Sequence, residues 1–189
     1  MPAQPSVSFS LFDTAIGRCG VAWSACGIVS VLLPERDDAA LRARLRRRHS
    51  GAQEAAPPDE ITRAIGGIVA LVAGEPRDLA DVVLDLAGVP DFNRLVYDVA
   101  RTIRPGKTLT YGAIAARLGE PDARRIGEAM SRNPCPIIIP CHRVVAAGGK
   151  SGGFSAPGGV ATKRRLLTIE GAAAEEPTLF DHHGDRSLR

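Results

Sequence analysis

Apolar and polar residues alternate from Val7 to Pro34, in VSFSLFDTAIGRCGVAWSACGIVSVLLP, and glycines at 17, 20 and 27 interrupt the run. A period of two, rich in β-branched and aromatic residues and broken by turn formers, predicts two or three strands joined by turns. The period then lengthens. In DDAALRARLRRRH, Leu41 and Leu45 stand four apart, which predicts an amphipathic helix over 37–49. GAQEAAPPD is a loop by composition. ITRAIGGIVALVAG predicts a second helix over 61–74 with Gly74 as its stop. DLADVVLDLAGVPD reads as a strand or an extended segment, and its acids form no tight cluster that would hold a metal.

The character changes at Pro90. FNRLVYDVARTIRPG places Phe92, Leu95, Val96, Val99 and Ile103 at helical spacing and ends at Pro105-Gly106. Thr110 can cap a short helix over 111–119 that Gly119 ends. Pro121 can occupy the first turn of a helix over 121–133. Two short helices around a glycine-containing turn form the helix-turn-helix pattern. Alanines such as Ala123 and Ala129 would let that pair approach a neighbouring surface closely. The predicted organisation is an N-terminal α/β domain over 1–90, a mainly helical domain over 91–171, and a polar, acidic tail over 172–189 whose composition predicts disorder.

Charge sharpens this division. Residues 1–92 carry nine Lys/Arg against twelve Asp/Glu, and residues 93–171 carry thirteen against five. A basic module beside an acidic one favours a polyanionic partner, with a solvated basic surface as the alternative. The run Arg46 to Arg48 reads as a solvated helix face. No stretch is long and apolar enough for a membrane-spanning helix, and the start carries no export signal. Cysteines 19, 26, 135 and 141 form no CxxC pair, so free thiols and a cytoplasmic setting are expected.

The densest chemistry lies in NPCPIIIPCHRVV, residues 133–145. Its three prolines forbid a regular helix, and the isoleucines predict a short, buried extended segment. Cys141 and His142 follow at its end. A thiol becomes a nucleophile as the thiolate, which a nearby base or positive field favours. A small packing residue is the plain alternative for Cys141. A zinc pair of Cys141 and His142 with Cys135 lacks two further ligands at suitable spacing.

The PCHRV motif, the preceding Asn-Pro and the helix-turn-helix together resemble the O6-alkylguanine-DNA alkyltransferases, also called methylated-DNA–protein-cysteine methyltransferases. The resemblance runs from about Phe92 to Gly171. It implies a ribonuclease H-like N-terminal domain and a DNA-binding domain that enters the minor groove. It implies one irreversible transfer of an alkyl group from guanine O6 to Cys141, with no cofactor or metal, by a monomer acting on double-stranded DNA. His142 would take the thiol proton through a water, Glu170 would orient His142, and Asn133 would hydrogen-bond near the thiol. Tyr111 would assist base flipping and guanine departure. Arg124, with Arg125 beside it, would fill the gap left by the extruded base, and Ala123 and Ala129 would lie against DNA. Val144 and Ser155 would meet the flipped guanine through backbone groups. Phe154 stands where many relatives have tyrosine, in a glycine-rich loop that should cover the alkyl pocket. Glu128 replaces a common small residue on the DNA-facing helix. A damage sensor without transfer activity and a helix-turn-helix regulator are the competing readings. The presence of Cys141 argues against the first, and the lack of a visible regulatory domain against the second.

Overall fold

A computed structural model describes residues 6–149 and 152–172; the predicted tail beyond 172 lies outside the described residues. Three strands, β1 (Ser8–Thr14), β2 (Gly17–Ser24) and β3 (Gly27–Leu32), form an antiparallel meander. A short β4 (Gln53–Glu54) joins β1 in parallel, giving the order β3-β2-β1-β4. Alternation along the strands divides the side chains between two faces. Phe9, Ala22 and Leu32 point to one face, where α1 (Asp38–Arg48) lays Leu41 and Leu45 on them. Gly20 permits this approach, since a Cβ there would come within 2.9 Å of the Leu45 side chain. Phe12, Val21, Trp23 and Val31 point to the other face, against α2 (Asp59–Val72).

The helix predicted over 61–74 is α2, and Gly74 follows it with φ 96°. The segment read as strand or extended makes one bridge, Leu84 to Ile28, fixed by Ile28 N–H to Val83 O at 3.0 Å and Asp85 N–H to Ile28 O at 2.9 Å. Asp85 of this segment accepts from the Ser24 hydroxyl at the end of β2.

Beyond Pro90 the chain becomes helical. Helix α3 (Asp91–Arg101) is followed by β5 (Leu109–Thr110), α4 (Tyr111–Arg117) and α5 (Ala123–Ser131). Strand β6 (Val144–Val145) then pairs with β5 in parallel, and α6 (Gly159–Ile169) ends the described chain. The buried face of α3 is Asn93, Val96, Tyr97 and Ala100, while Leu95 is 54% exposed. The apolar pattern found this side through Val96 and Ile103, with Phe92 and Val99 packed against the core, but it counted Leu95 and passed over Asn93. The buried Asn93 amide offsets part of the rise that burial imposes on the Tyr97 pKa, and the Tyr97 hydroxyl donates to Ala129 O at 2.8 Å, tying α3 to α5. Thr110 caps α4 by accepting from Ala113 N–H, and Gly119 turns the chain at φ 64°. Asp122 caps α5, so Pro121 precedes the helix and does not sit in its first turn. One apolar core runs from the inner face of the sheet through α2 into α3, α4 and α5.

Candidate functional site

The site is built on the turn between α5 and β6. Asn133 closes it: its Oδ1 accepts from Cys135 N–H at 2.9 Å and its Nδ2 donates to Ile139 O at 2.8 Å. The isoleucines are buried as expected, but they are folded back and not extended. Pro136 bridges Ile139, and Ile137 has φ 77°. That conformation costs a β-branched residue about 1–2 kcal/mol. Complete burial of Ile137, Ile138 and Ile139 offsets the cost, and β3 holds the turn through Val31 N–H to Pro134 O at 3.0 Å. The chain leaves the turn as one 3-10 turn, Cys141–Arg143.

This brings two predicted residues, His142 and Glu170, together. The His142 ring nitrogen Nε2 lies 2.8 Å from Glu170 Oε1 at the end of α6. Arg143 donates through Nε and Nη2 to the two Glu170 oxygens, each at 2.8 Å, and through Nη1 to Ile103 O at 2.5 Å. The side chains of His142 and Glu170 are 1% and 2% exposed. Burial alone would raise the Glu170 pKa, but the hydrogen bonds and charges of His142 and Arg143 outweigh it and hold the carboxyl at about 2. Burial lowers the His142 pKa despite the carboxylate. A neutral ring that donates from Nε2 to a carboxylate carries its basic lone pair on Nδ1. His142 Nδ1 has no hydrogen-bond partner among the described residues.

Burial pushes the Cys141 thiol up; the Asn133 amide, the Lys163 charge and backbone N–H groups push it back down. The thiol borders a cavity of about 700 Å³ with Tyr111, Arg124, Met130, Phe154 and Ser155 among its walls. Tyr111 is raised by burial and by Cys141. Ser155 Oγ donates to Ser131 O at 3.1 Å, closing the 152–158 loop over the end of α5. A larger cavity of about 820 Å³ lies between the β2–β3 turn and α2; it is bordered by Cys26 but by no histidine.

Other expected residues separate. Arg124 is 90% exposed at the cavity edge and, among the described residues, pairs only with Asp122, at 3.2 Å. Arg125, expected beside it at DNA, instead folds back over the Phe92 ring at 4.3 Å and pairs with Glu120. Glu128 is exposed and has no ion pair among the described residues. Ala123 borders the cavity, but Ala129 is 2% exposed on the inner face of α5, where its carbonyl is bound by Tyr97. Ala129 is therefore a packing residue. Val144 also departs from expectation. Its N–H goes to Cys141 O, its carbonyl accepts from Lys163 Nζ at 2.5 Å, and it does not border the cavity. Both backbone groups are engaged within the protein.

Two site residues were missed, Arg143 and Lys163. Arg143 sits inside the PCHRV motif beside His142. Lys163 carried a readable signal: with Leu166 and Leu167 it lies at i, i+3 and i+4 on the buried stripe of α6.

The family model of the 6-O-methylguanine DNA methyltransferase DNA-binding domain matches residues 91–172. The methylated-DNA–protein-cysteine methyltransferase of Methanothermobacter thermautotrophicus is 36% identical over 156 residues, which span 82% of this chain and 81% of that one. The protein of that name from Mycobacterium tuberculosis strain H37Rv is 43% identical over 126 residues, 66% of this chain and 74% of its own. The crystal structure of Mycobacterium tuberculosis OGT in complex with DNA is similar at a TM-score of 0.69 and 31% identity, covering 87% of this chain and 93% of that one.

Proposed function

The chain belongs to the methylated-DNA–protein-cysteine methyltransferases, DNA-repair proteins that move an alkyl group from DNA to one of their own cysteines, and from that premise we propose how its residues divide the work. Cys141 is the acceptor. His142 takes the thiol proton at Nδ1 through a water, and Glu170, clamped by Arg143, keeps the ring in the tautomer that can do so. The sulfur attacks the alkyl carbon on guanine O6. The S–C bond forms as the C–O bond breaks, and the electron pair leaves with O6. Tyr111, on the cavity wall, donates a hydrogen bond or proton to the departing guanine.

A target inside stacked duplex cannot reach a thiol that is 8% exposed. The nucleotide must be extruded, at a cost of a few kcal/mol. Arg124 is the side chain free to fill the gap; Arg125 is not, being held by Phe92 and Glu120. In this reading α4 and α5 are a helix-turn-helix in the minor groove, and the N-terminal sheet with its helices is the ribonuclease H-like domain. The chain acts as a monomer in the cytoplasm. The thioether is a poor leaving group for ordinary thiols, so each molecule acts once.

The observation that carries the reading is the buried Arg143–Glu170–His142 relay beside a thiol that opens on a cavity of about 700 Å³, room enough for an extruded base. Intact-mass measurement after mixing with duplex holding one O6-methylguanine, followed by peptide mapping, tests it. One methyl on the Cys141 peptide is expected. Binding of the damaged duplex without a mass gain would make the protein a sensor instead.

A further inference from the structure

Besides the cavity that admits the base, a second and smaller one touches the acceptor sulfur. It measures about 120 Å³ and is bordered by the active-site turn, by the end of β3, and by Arg44 and Arg48 of α1. The two cavities share Met130, Phe154 and Ser155 as well as Cys141, so the thiol stands at their junction. Arg132, at the end of α5, completes a rim of three arginines, and no acid borders the space among the described residues. Arg44 is engaged by Glu35, whereas Arg48 has no carboxylate partner among the described residues. The Arg48 charge acts on the buried Cys135 and Tyr97, which sets the guanidinium on the inner side of α1, while the residue as a whole stays exposed. Of the run Arg46 to Arg48, read from sequence as a solvated face, this arginine alone borders the cavity.

We propose that this compartment receives the side chain of O6-alkyl adducts longer than methyl, and that Arg48 makes it selective for those ending in a carboxylate, with O6-carboxymethylguanine as the smallest case. This rests on the reading of Cys141 as acceptor. In an in-line displacement the sulfur, the alkyl carbon and guanine O6 lie on one axis, and a substituent on that carbon projects to the side. A methyl group has no such substituent. With the base in the larger cavity and the carbon at the sulfur, a longer adduct is directed into the smaller one. A water takes about 30 Å³ in the liquid, so the compartment has room for roughly four heavy atoms. The step balances as methyl transfer does. The thiol proton passes to His142, the S–C bond forms at the methylene, and the C–O bond breaks with its electron pair leaving on guanine; Cys141 ends as the carboxymethyl thioether. An anionic tail repels the approaching thiolate. A guanidinium beside the tail offsets that repulsion and can donate two parallel hydrogen bonds to the carboxylate. A neutral tail of equal size finds the same room but no such partner.

The test follows single-turnover transfer from three duplexes that differ only at guanine O6: methyl, carboxymethyl, and the neutral, near-isosteric carbamoylmethyl. The product is read as added mass on the Cys141 peptide. Each variant is compared with wild type on the same duplex, so the intrinsic reactivities of the adducts cancel. Arg48→Gln is expected to slow carboxymethyl transfer about fivefold, the worth of a solvent-accessible ion pair. Its methyl and carbamoylmethyl rates should stay at wild type. Arg48→Lys keeps the charge and should lose less. Arg47→Gln, next in the chain but off the cavity, should lose nothing on any duplex. Equal slowing on all three duplexes would overturn the proposal and make Arg48 a contact to the DNA backbone. An unchanged carboxymethyl rate in Arg48→Gln would overturn it too, as would a wild type that takes methyl but neither longer group. A wild type that takes no methyl either would bring down the function proposed above, a result distinct from all of these.

Discussion

The two halves of this molecule handle charge in opposite ways. Before Pro90 the buried polar residues among those described are Ser24 and Ser30, and Arg42 and Arg44 of α1 pair with Glu35, Asp38 and Glu54 at the surface. After Pro90 the buried set includes Asn93, His142, Arg143 and Lys163, with the Glu170 side chain closed in beside them. A purely apolar core is the cheaper way to hold a fold together, since each buried charge costs several kcal/mol unless it is paired. The N-terminal half uses that solution. The C-terminal half bears the cost where a thiolate must form and a leaving group must depart. The contrast separates stability from chemistry, and substitutions can test the separation.

The largest effect should come from Cys141→Ser. Transfer from damaged duplex, read as protein-bound methyl, should fall below detection while duplex binding by fluorescence anisotropy persists. Glu170→Ala comes next. It leaves Arg143 and His142 buried without their acceptor and should cost about 3–5 kcal/mol in urea unfolding as well as most of the activity. Leu45→Ala opens a cavity between α1 and the sheet and should cost about 2–5 kcal/mol. The transfer rate of its folded molecules should match wild type; a slowed rate would break the division between halves. Arg124→Ala should slow transfer from duplex by about tenfold, part of the extrusion cost, and leave transfer from the free modified base unchanged. Equal losses on both would remove its gap-filling role. Arg42→Ala, which deletes an exposed pair, should leave the urea midpoint where it was.

Acid provides a smaller, graded comparison. The Glu170 carboxyl sits at about 2 in the folded chain, below its unfolded value of about 4.3. The unfolded chain therefore binds the proton first. The stability this group contributes is complete above about pH 5 and is lost as the pH falls toward 2. Urea midpoints across that range should decline more steeply for wild type than for Glu170→Gln. Parallel curves would mean that the carboxylate contributes no such stability.

The apolar pattern exposed the N-terminal half well, because strand alternation and the Leu41–Leu45 spacing report directly on burial. It worked less well on α3, where Asn93 is inside and Leu95 is outside; a buried amide serving Tyr97 has no signature in hydrophobic periodicity. The NPCPIIIPCHRVV stretch showed where the chemistry lies but not its shape. Three isoleucines suggest a strand, and only the Asn133 hydrogen bonds reveal a turn tight enough to put Ile137 at positive φ. The adjacent Arg124 and Arg125 could not be told apart by residue type; Phe92 and Glu120, distant or off the motif, draw one of them away. Arg143 was hidden because a cation in sequence is read as solvent-facing until its partners are known, whereas Lys163 could have been found from its place with Leu166 and Leu167 on the buried stripe of α6.

The most direct test of the central claim is a titration of active protein against excess duplex bearing O6-methylguanine, following demethylated guanine with time. The account predicts a burst of one demethylated guanine per active chain and then nothing, with the methyl retained as a thioether on Cys141. Continued turnover, or loss of methyl from DNA with Cys141 unmodified, would contradict it.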